Sequence, residues 1–123
     1  WSTYSGTVTA AQDWDMPALQ RQVRPAREDS MEELMHQTGL ERFLVMCGKG
    51  YPAWHHLQKP LLQRAIGVVY RPETELQSHY LHAVPGRQFD ALVWNDHTRA
   101  VEPLEREGEW ALGEPAETYP SSL

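Results

Sequence analysis

Two apolar runs constrain this chain more than any other feature: Ala65 to Tyr70 and Phe89 to Trp94, on either side of a polar segment centred on Gln77, Ser78, His79 and Tyr80. A short run rich in Ile and Val, with little polar alternation, suits a strand buried on both faces. Arg71-Pro72 is expected to end the first strand, because proline cannot donate a ladder hydrogen bond and restrains the residue before it. Asn95-Asp96 is expected to end the second, since these side chains favour turns. Phe43 to Cys47 reads as a third buried strand. The connections between the three are long enough for crossovers, so parallel neighbours are expected. The resulting expectation is an α/β fold of about three to four mainly parallel strands with short crossover helices, part of a larger α/β sheet.

The rest of the chain fits around that frame. Tyr4 to Ala11 reads as a strand end, with Gly6 marking a close approach of backbone. If loops beyond the strand ends line a ligand crevice, Thr7 and Thr9 face a cleft; otherwise they are ordinary β-branched strand residues. Gln12 to Asp29 reads as an irregular connection, with one short helical turn around Ala18 to Val23. Ser30 to Gly39 is the best helix: Ser30 and Glu33 form a capping-box pattern, Met31, Leu34 and Met35 repeat at helical spacing, and Gly39 supplies the stop. His36 beside that stripe reads as a cap or dipole partner near the helix end. Pro60 is expected to open a short helix reaching Arg64. The segment from Arg99 to Glu109 reads as a charged surface, with Trp110 and Tyr119 as packing anchors beyond it.

Charge and composition exclude several classes. With 123 residues and a net charge of -6, the chain is the size of one domain and lacks the basic stripe of a nucleic-acid binder. No run reaches the roughly 20 apolar residues of a spanning helix, and no leader-like segment opens the chain. No membrane partner is therefore expected. The single Cys47 permits no internal disulfide and suits a reducing cytoplasm. Trp1 with the β-prone residues behind it reads as a start inside a domain.

Chemistry centres on Ser78, His79 and Tyr80, with Glu73, Glu75, His82, Asp96 and His97 within reach in some folds. A triad needs hydroxyl, imidazole and carboxylate brought together with an oxyanion hole, and no G-x-S-x-G elbow occurs. His79 therefore reads either as a catalytic histidine or as a structural one that bonds backbone across the loop, and His82 and His97 read as surface residues. G-K-G at Gly48 to Gly50 lacks the spacing of a phosphate loop. His55 and His56, adjacent in sequence, do not share one side of a helix or strand, so no metal site is expected.

The string YRPETELQSHYLHA, then QFDALVW, then D-x-T-R-A-V-E-P-L, resembles the C-terminal part of the erythromycin esterase family. The likeness extends upstream to TYSGTVTAAQDW and downstream to ETYPSSL, so it covers nearly the whole chain. The family comprises hydrolases associated with macrolide resistance, and some relatives are labelled succinoglycan biosynthesis proteins. Its histidine base, glutamates and further histidine are carried by G-E-x-x-H and A-H-N motifs in its N-terminal and central parts, and neither motif occurs here. Relatives often carry histidine and a bulky apolar residue where this chain has Trp94-Asn95.

The resemblance implies that residues 1–123 are the C-terminal portion of an esterase-like domain whose catalytic part lies elsewhere. No catalytic residue is then assigned to this chain. Thr7, Thr9, His79 and Tyr80 are expected to line a site for a small ester or lactone, without a cofactor. The rival expectation is a non-enzymatic interaction domain that associates, with itself or another chain, through an exposed sheet edge. A small histidine metalloprotein is a third.

Overall fold

The computed structural model describes residues 1–102. The expected packing of Trp110 and Tyr119, and the charged segment beyond Glu102, lie outside the described residues. Six strands and three short helices follow in chain order. They are β1 (Ser2–Ala10), β2 (Leu19–Val23), α1 (Met31–His36), β3 (Arg42–Met46), β4 (Leu61–Arg64), α2 (Glu75–Ser78), β5 (Tyr80–Ala83), α3 (Pro85–Gln88) and β6 (Ala91–Thr98). Turns of 3-10 helix cover Pro52–Gln58 and Pro72–Thr74.

Among the described residues, four strands form one sheet in the order β2, β1, β6, β3, and β4 pairs with β5 in a second. Among the strands of the described residues only β1 and β6 pair in parallel; β1 with β2, β3 with β6, and β4 with β5 are antiparallel. The architecture is thus mixed α/β, and the expectation of mainly parallel strands is corrected. A long connection permits a parallel crossover but does not impose one. Here the chain between β3 and β6 spends its length on the separate β4 and β5 pair.

Local assignments shift for identifiable reasons. Ala65 to Tyr70 is not a strand: it touches the ladder at a single bridge, Ala11 to Val69, secured by Ala11 N–H to the Val68 carbonyl at 2.8 Å and Tyr70 N–H to the Ala11 carbonyl at 3.0 Å. Of its apolar residues, Tyr70 and Ile66 meet Ala10, Val23 and Val8 in a small cluster, while Ala65 and Val68 are exposed. Pro60 precedes a strand rather than opening a helix, because Leu61 to Arg64 find ladder partners in Tyr80 to Ala83. Ala18 to Val23 forms no helical turn; Leu19 to Val23 lies along β1 as a polar edge strand, a composition suited to an open edge. The Asn95-Asp96 pair does not end β6, which runs on to Thr98 beside β1.

Gly6 meets its expectation. Its φ is +129°, and a Cβ there would lie 2.0 Å from the Thr98 carbonyl oxygen, so only glycine lets β1 close on β6. The α1 helix begins as expected, with the Ser30 Oγ accepting the Glu33 N–H at 3.2 Å. The capping box is only half made, because the Glu33 carboxylate instead accepts from Gln37. Gly39 follows with φ +72°. Met31 and Met35 are buried, but Leu34 is exposed and Glu32 turns inward in its place. The two methionines join Cys47, Leu57, Leu92 and Trp94 in the main core between α1 and the sheet. No helix of the described residues is long and apolar enough to cross a membrane.

Candidate functional site

The α1 helix lies across the parallel pair β1 and β6, and the spacing of its residues places two polar side chains over those strands. Glu32 and His36 are four apart, hence neighbours on one helix face, while Met31 and Met35 enter the core. Each polar residue meets a strand. The Ser2 hydroxyl donates to Glu32 Oε1. His36 Nδ1 lies 2.6 Å from Asp96 Oδ1, and its ring stacks on Tyr4 with centroids 3.7 Å apart and planes 3° from parallel. With a carboxylate oxygen opposite, Nδ1 carries the hydrogen and Nε2 the lone pair.

Behind Glu32 lies a buried charged network. Arg64 closes β4, where its backbone N–H donates to both oxygens of Glu32 at 3.2 Å. Its guanidinium donates to the carbonyls of Arg24 at 2.7 Å, Thr3 at 2.7 Å and Tyr4 at 2.8 Å, and to Glu75 Oε1 at 3.0 Å. Glu75 also accepts from the hydroxyls of Tyr70 and Tyr80. Those hydroxyls in turn accept the N–H groups of Arg24 and Arg27. Burial pushes Glu32 above the usual carboxylate range against the opposing hydrogen bond from Ser2. Burial, then the bond to Glu75, pushes the Tyr70 phenol far above its usual value, and burial raises Tyr80 as well. Among the described residues no buried side-chain nitrogen or oxygen is left without a partner. The network therefore reads as a tie between β1, β4, α1 and α2 rather than as a reactive centre.

The four residues expected to line a substrate site fall in two places. The Thr7 hydroxyl accepts the Ala100 N–H at 2.9 Å, and the Thr9 hydroxyl donates to the Val101 carbonyl at 2.9 Å. Both border a cleft of about 280 Å³ between β1 and the segment after β6. His79 and Tyr80 belong instead to the α2 and β5 side. His79 Nδ1 faces the Ala65 carbonyl at 3.1 Å, and its Nε2 accepts the Arg71 N–H at 3.2 Å, so both ring nitrogens serve backbone. Tyr80 is a member of the Arg64 network. His82 is exposed, and His97 is exposed with Ser5 Oγ 3.2 Å from its Nδ1. Among the described residues no group of three or more His, Cys, Asp or Glu side chains converges to hold a metal ion.

Sequence reasoning passed over Glu32 and Arg64 as site residues and gave His36 only a capping role. The available signal was Glu32 and His36 at helical spacing, one of them set directly between Met31 and Met35 on the inward side.

No solved structure matches the chain. The family described as erythromycin esterase matches residues 1–98, from the first strand to the end of β6. That span takes in the Arg64 network, the His36–Asp96 contact and all four expected lining residues, and it shows that the chain belongs to the erythromycin esterase family.

Proposed function

We propose that this chain is the C-terminal portion of an ester- or lactone-hydrolysing domain, acting in the cytoplasm, and that it supplies framework and one wall of the cleft without turning over substrate by itself. Under this reading Thr7 and Thr9 line the cleft beside β1, and His79 and Tyr80 are lining residues on the separate α2 and β5 side. Family membership supports the chemistry. The observation that carries the rest is a division of parts: among the described residues, Ser5 meets an imidazole that no carboxylate bonds, while His36 meets a carboxylate with no hydroxyl nucleophile beside it. Acyl transfer needs these functions assembled in one place, with donors for the oxyanion.

The test is hydrolysis of a nitrophenyl ester and of a macrolide lactone by purified chain. The expected result is no release above the buffer rate. Steady turnover that is lost in His79→Ala overturns the reading.

A specific observation favours a second reading, association through the sheet. Leu44 of β3 and Val93 of β6 are direct cross-strand partners, yet they are 59% and 48% exposed. An adjacent apolar pair on an open sheet face favours a covering surface. Light scattering on the eluting chain tests it: a dimer lost in Leu44→Lys supports association, and a monomer at all concentrations argues against it.

A further inference from the structure

We infer that the chain forms a symmetric dimer by laying the β3 edge of one copy antiparallel to the β3 edge of a second, with Val45 facing its own counterpart across the two-fold axis. This rests on the association reading above and supplies what that reading leaves open: which strand pairs, in what register, and with what partner.

The ladder on the inner side of β3 determines what its outer side offers. The Cys47 N–H donates to the Asp90 carbonyl and the Asp96 N–H to the Glu41 carbonyl, both at 2.8 Å. Residues of an antiparallel pair exchange hydrogen bonds at every second position, so Phe43 and Val45 also turn their N–H and carbonyl groups toward β6. Arg42, Leu44 and Met46 turn theirs the other way, and β3 is the last strand on that side of the sheet. Among the described residues no backbone or side-chain group bonds the N–H or the carbonyl of these three. Such a row of free donors and acceptors is a template for another strand.

The two edges of the sheet differ in how they are guarded. β2 carries Gln20, Arg21 and Gln22 at its centre, the polar composition that blunts an edge. β3 reads RFLVM, with no proline, a charge only at its first residue and strand-favouring Phe43 and Val45. On the open face, Leu44 and Met46 lie opposite Val93 and Ala91 of β6, so a strand added at β3 continues an apolar strip already present.

Charge at the two ends of the strand selects a second copy as the partner. Glu41 precedes β3 and Lys49 follows it, and both are exposed. An antiparallel copy with Val45 opposite Val45 sets Leu44 opposite the partner's Met46 and brings Glu41 level with the partner's Lys49, twice by symmetry. Opposite charges across a strand pair attract. The neighbouring register, with Leu44 opposite Leu44, suits the backbone groups equally, but it sets Arg42 against the partner's Met46 and leaves Lys49 level with Gly39. The strand is thus complementary to itself in one register, in its backbone groups, its apolar face and its charges.

Amide hydrogen exchange on the unmutated chain, followed over a range of concentrations beside light scattering, reads the edge directly. As the dimer forms, the Leu44 and Met46 amides are expected to slow at least about tenfold, while those of Phe43 and Val45, already bonded to β6, change far less. Leu44 and Met46 amides that stay fast in a dimer overturn the edge pairing and leave association through the sheet face standing. A monomer at every concentration overturns both. Full protection of the two amides in a monomer means that a segment of the same chain covers the edge, and overturns the pairing as well. The register is tested at its ends, where both side chains are exposed and substitution spares the core. Glu41→Lys and Lys49→Glu are each expected to raise the dimer dissociation constant about tenfold, because two opposed pairs become repulsive. The double exchange is expected to return it to within about twofold of the parent. Single variants without effect, or a double exchange without recovery, overturn the pairing of two copies in this register.

Discussion

Replacing Arg64 by methionine is the perturbation that most directly tests how this fold is held. Methionine fills the space of the aliphatic stem and removes every guanidinium donor. The carbonyls of Arg24 and Thr3 then lose a partner, the Tyr4 carbonyl loses one but keeps the Ala26 N–H, and Glu75 is left with no cation. The side chains of Arg64 and Glu75 are 1% and 2% exposed, so water does not replace what is lost. Removing one partner of a buried ion pair costs about 3–5 kcal/mol, and stranded carbonyls add about 1 kcal/mol each where they remain dry. A loss of at least about 4 kcal/mol is expected, a large share of the roughly 5–15 kcal/mol that holds a domain together. Urea titration followed by tryptophan fluorescence measures it, since Trp94 is fully buried in the main core. Adding Glu75→Gln removes the stranded charge while leaving an acceptor oxygen for one of the two tyrosine hydroxyls, which now donate to different carboxylate oxygens, and should recover about 2 kcal/mol. A shift below about 1 kcal/mol in Arg64→Met, or a double variant no more stable than the single one, would refute the reasoning.

Two further predictions use the backbone and the second buried carboxyl. Gly6→Ala is expected to prevent β1 from closing on β6, costing more than about 3 kcal/mol, whereas Gly39→Ala, with φ +72° but nothing within 4 Å of the new methyl, should cost about 1–2 kcal/mol. Comparable denaturation midpoints for the two would contradict this. For Glu32, burial raises the folded-state pKa above the ordinary 4.5, so the folded chain binds more protons than the unfolded one between those two values. Its contribution is fully present below 4.5 and is lost as pH rises through the raised folded value. Glu32→Gln should abolish that loss, so the stability difference between variant and parent should move in the variant's favour as pH rises from 4 to 8, about the range over which a raised carboxyl titrates. Parallel pH profiles would show that Glu32 does not titrate differently on folding.

Much of the local structure was legible in the residues. Ser30 as a cap, Gly39 as a stop, Gly6 as a point of close approach and Phe43 to Cys47 as a strand, found at Arg42–Met46, each follow from short-range chemistry that needs no neighbour. Family membership was legible too, carried by long ordered strings such as YRPETELQSHYLHA. The errors share one cause. Ala65 to Tyr70 has the composition of a buried strand, but only Tyr70 is buried, packed against Val23 and Ala10, and Val68 is exposed, so no ladder is required of it.

What the chain's own order of residues determined is therefore the set of caps, stops and apolar runs, together with the family they spell. Strand direction and the polar partnerships were decided only by the tertiary structure. Arg64 reaches Thr3 across sixty-one positions, and His36 reaches Asp96 across sixty. Such pairings depend on how α1 lies over β1 and β6, and no local propensity encodes a contact whose two halves are brought together only by closure of the core.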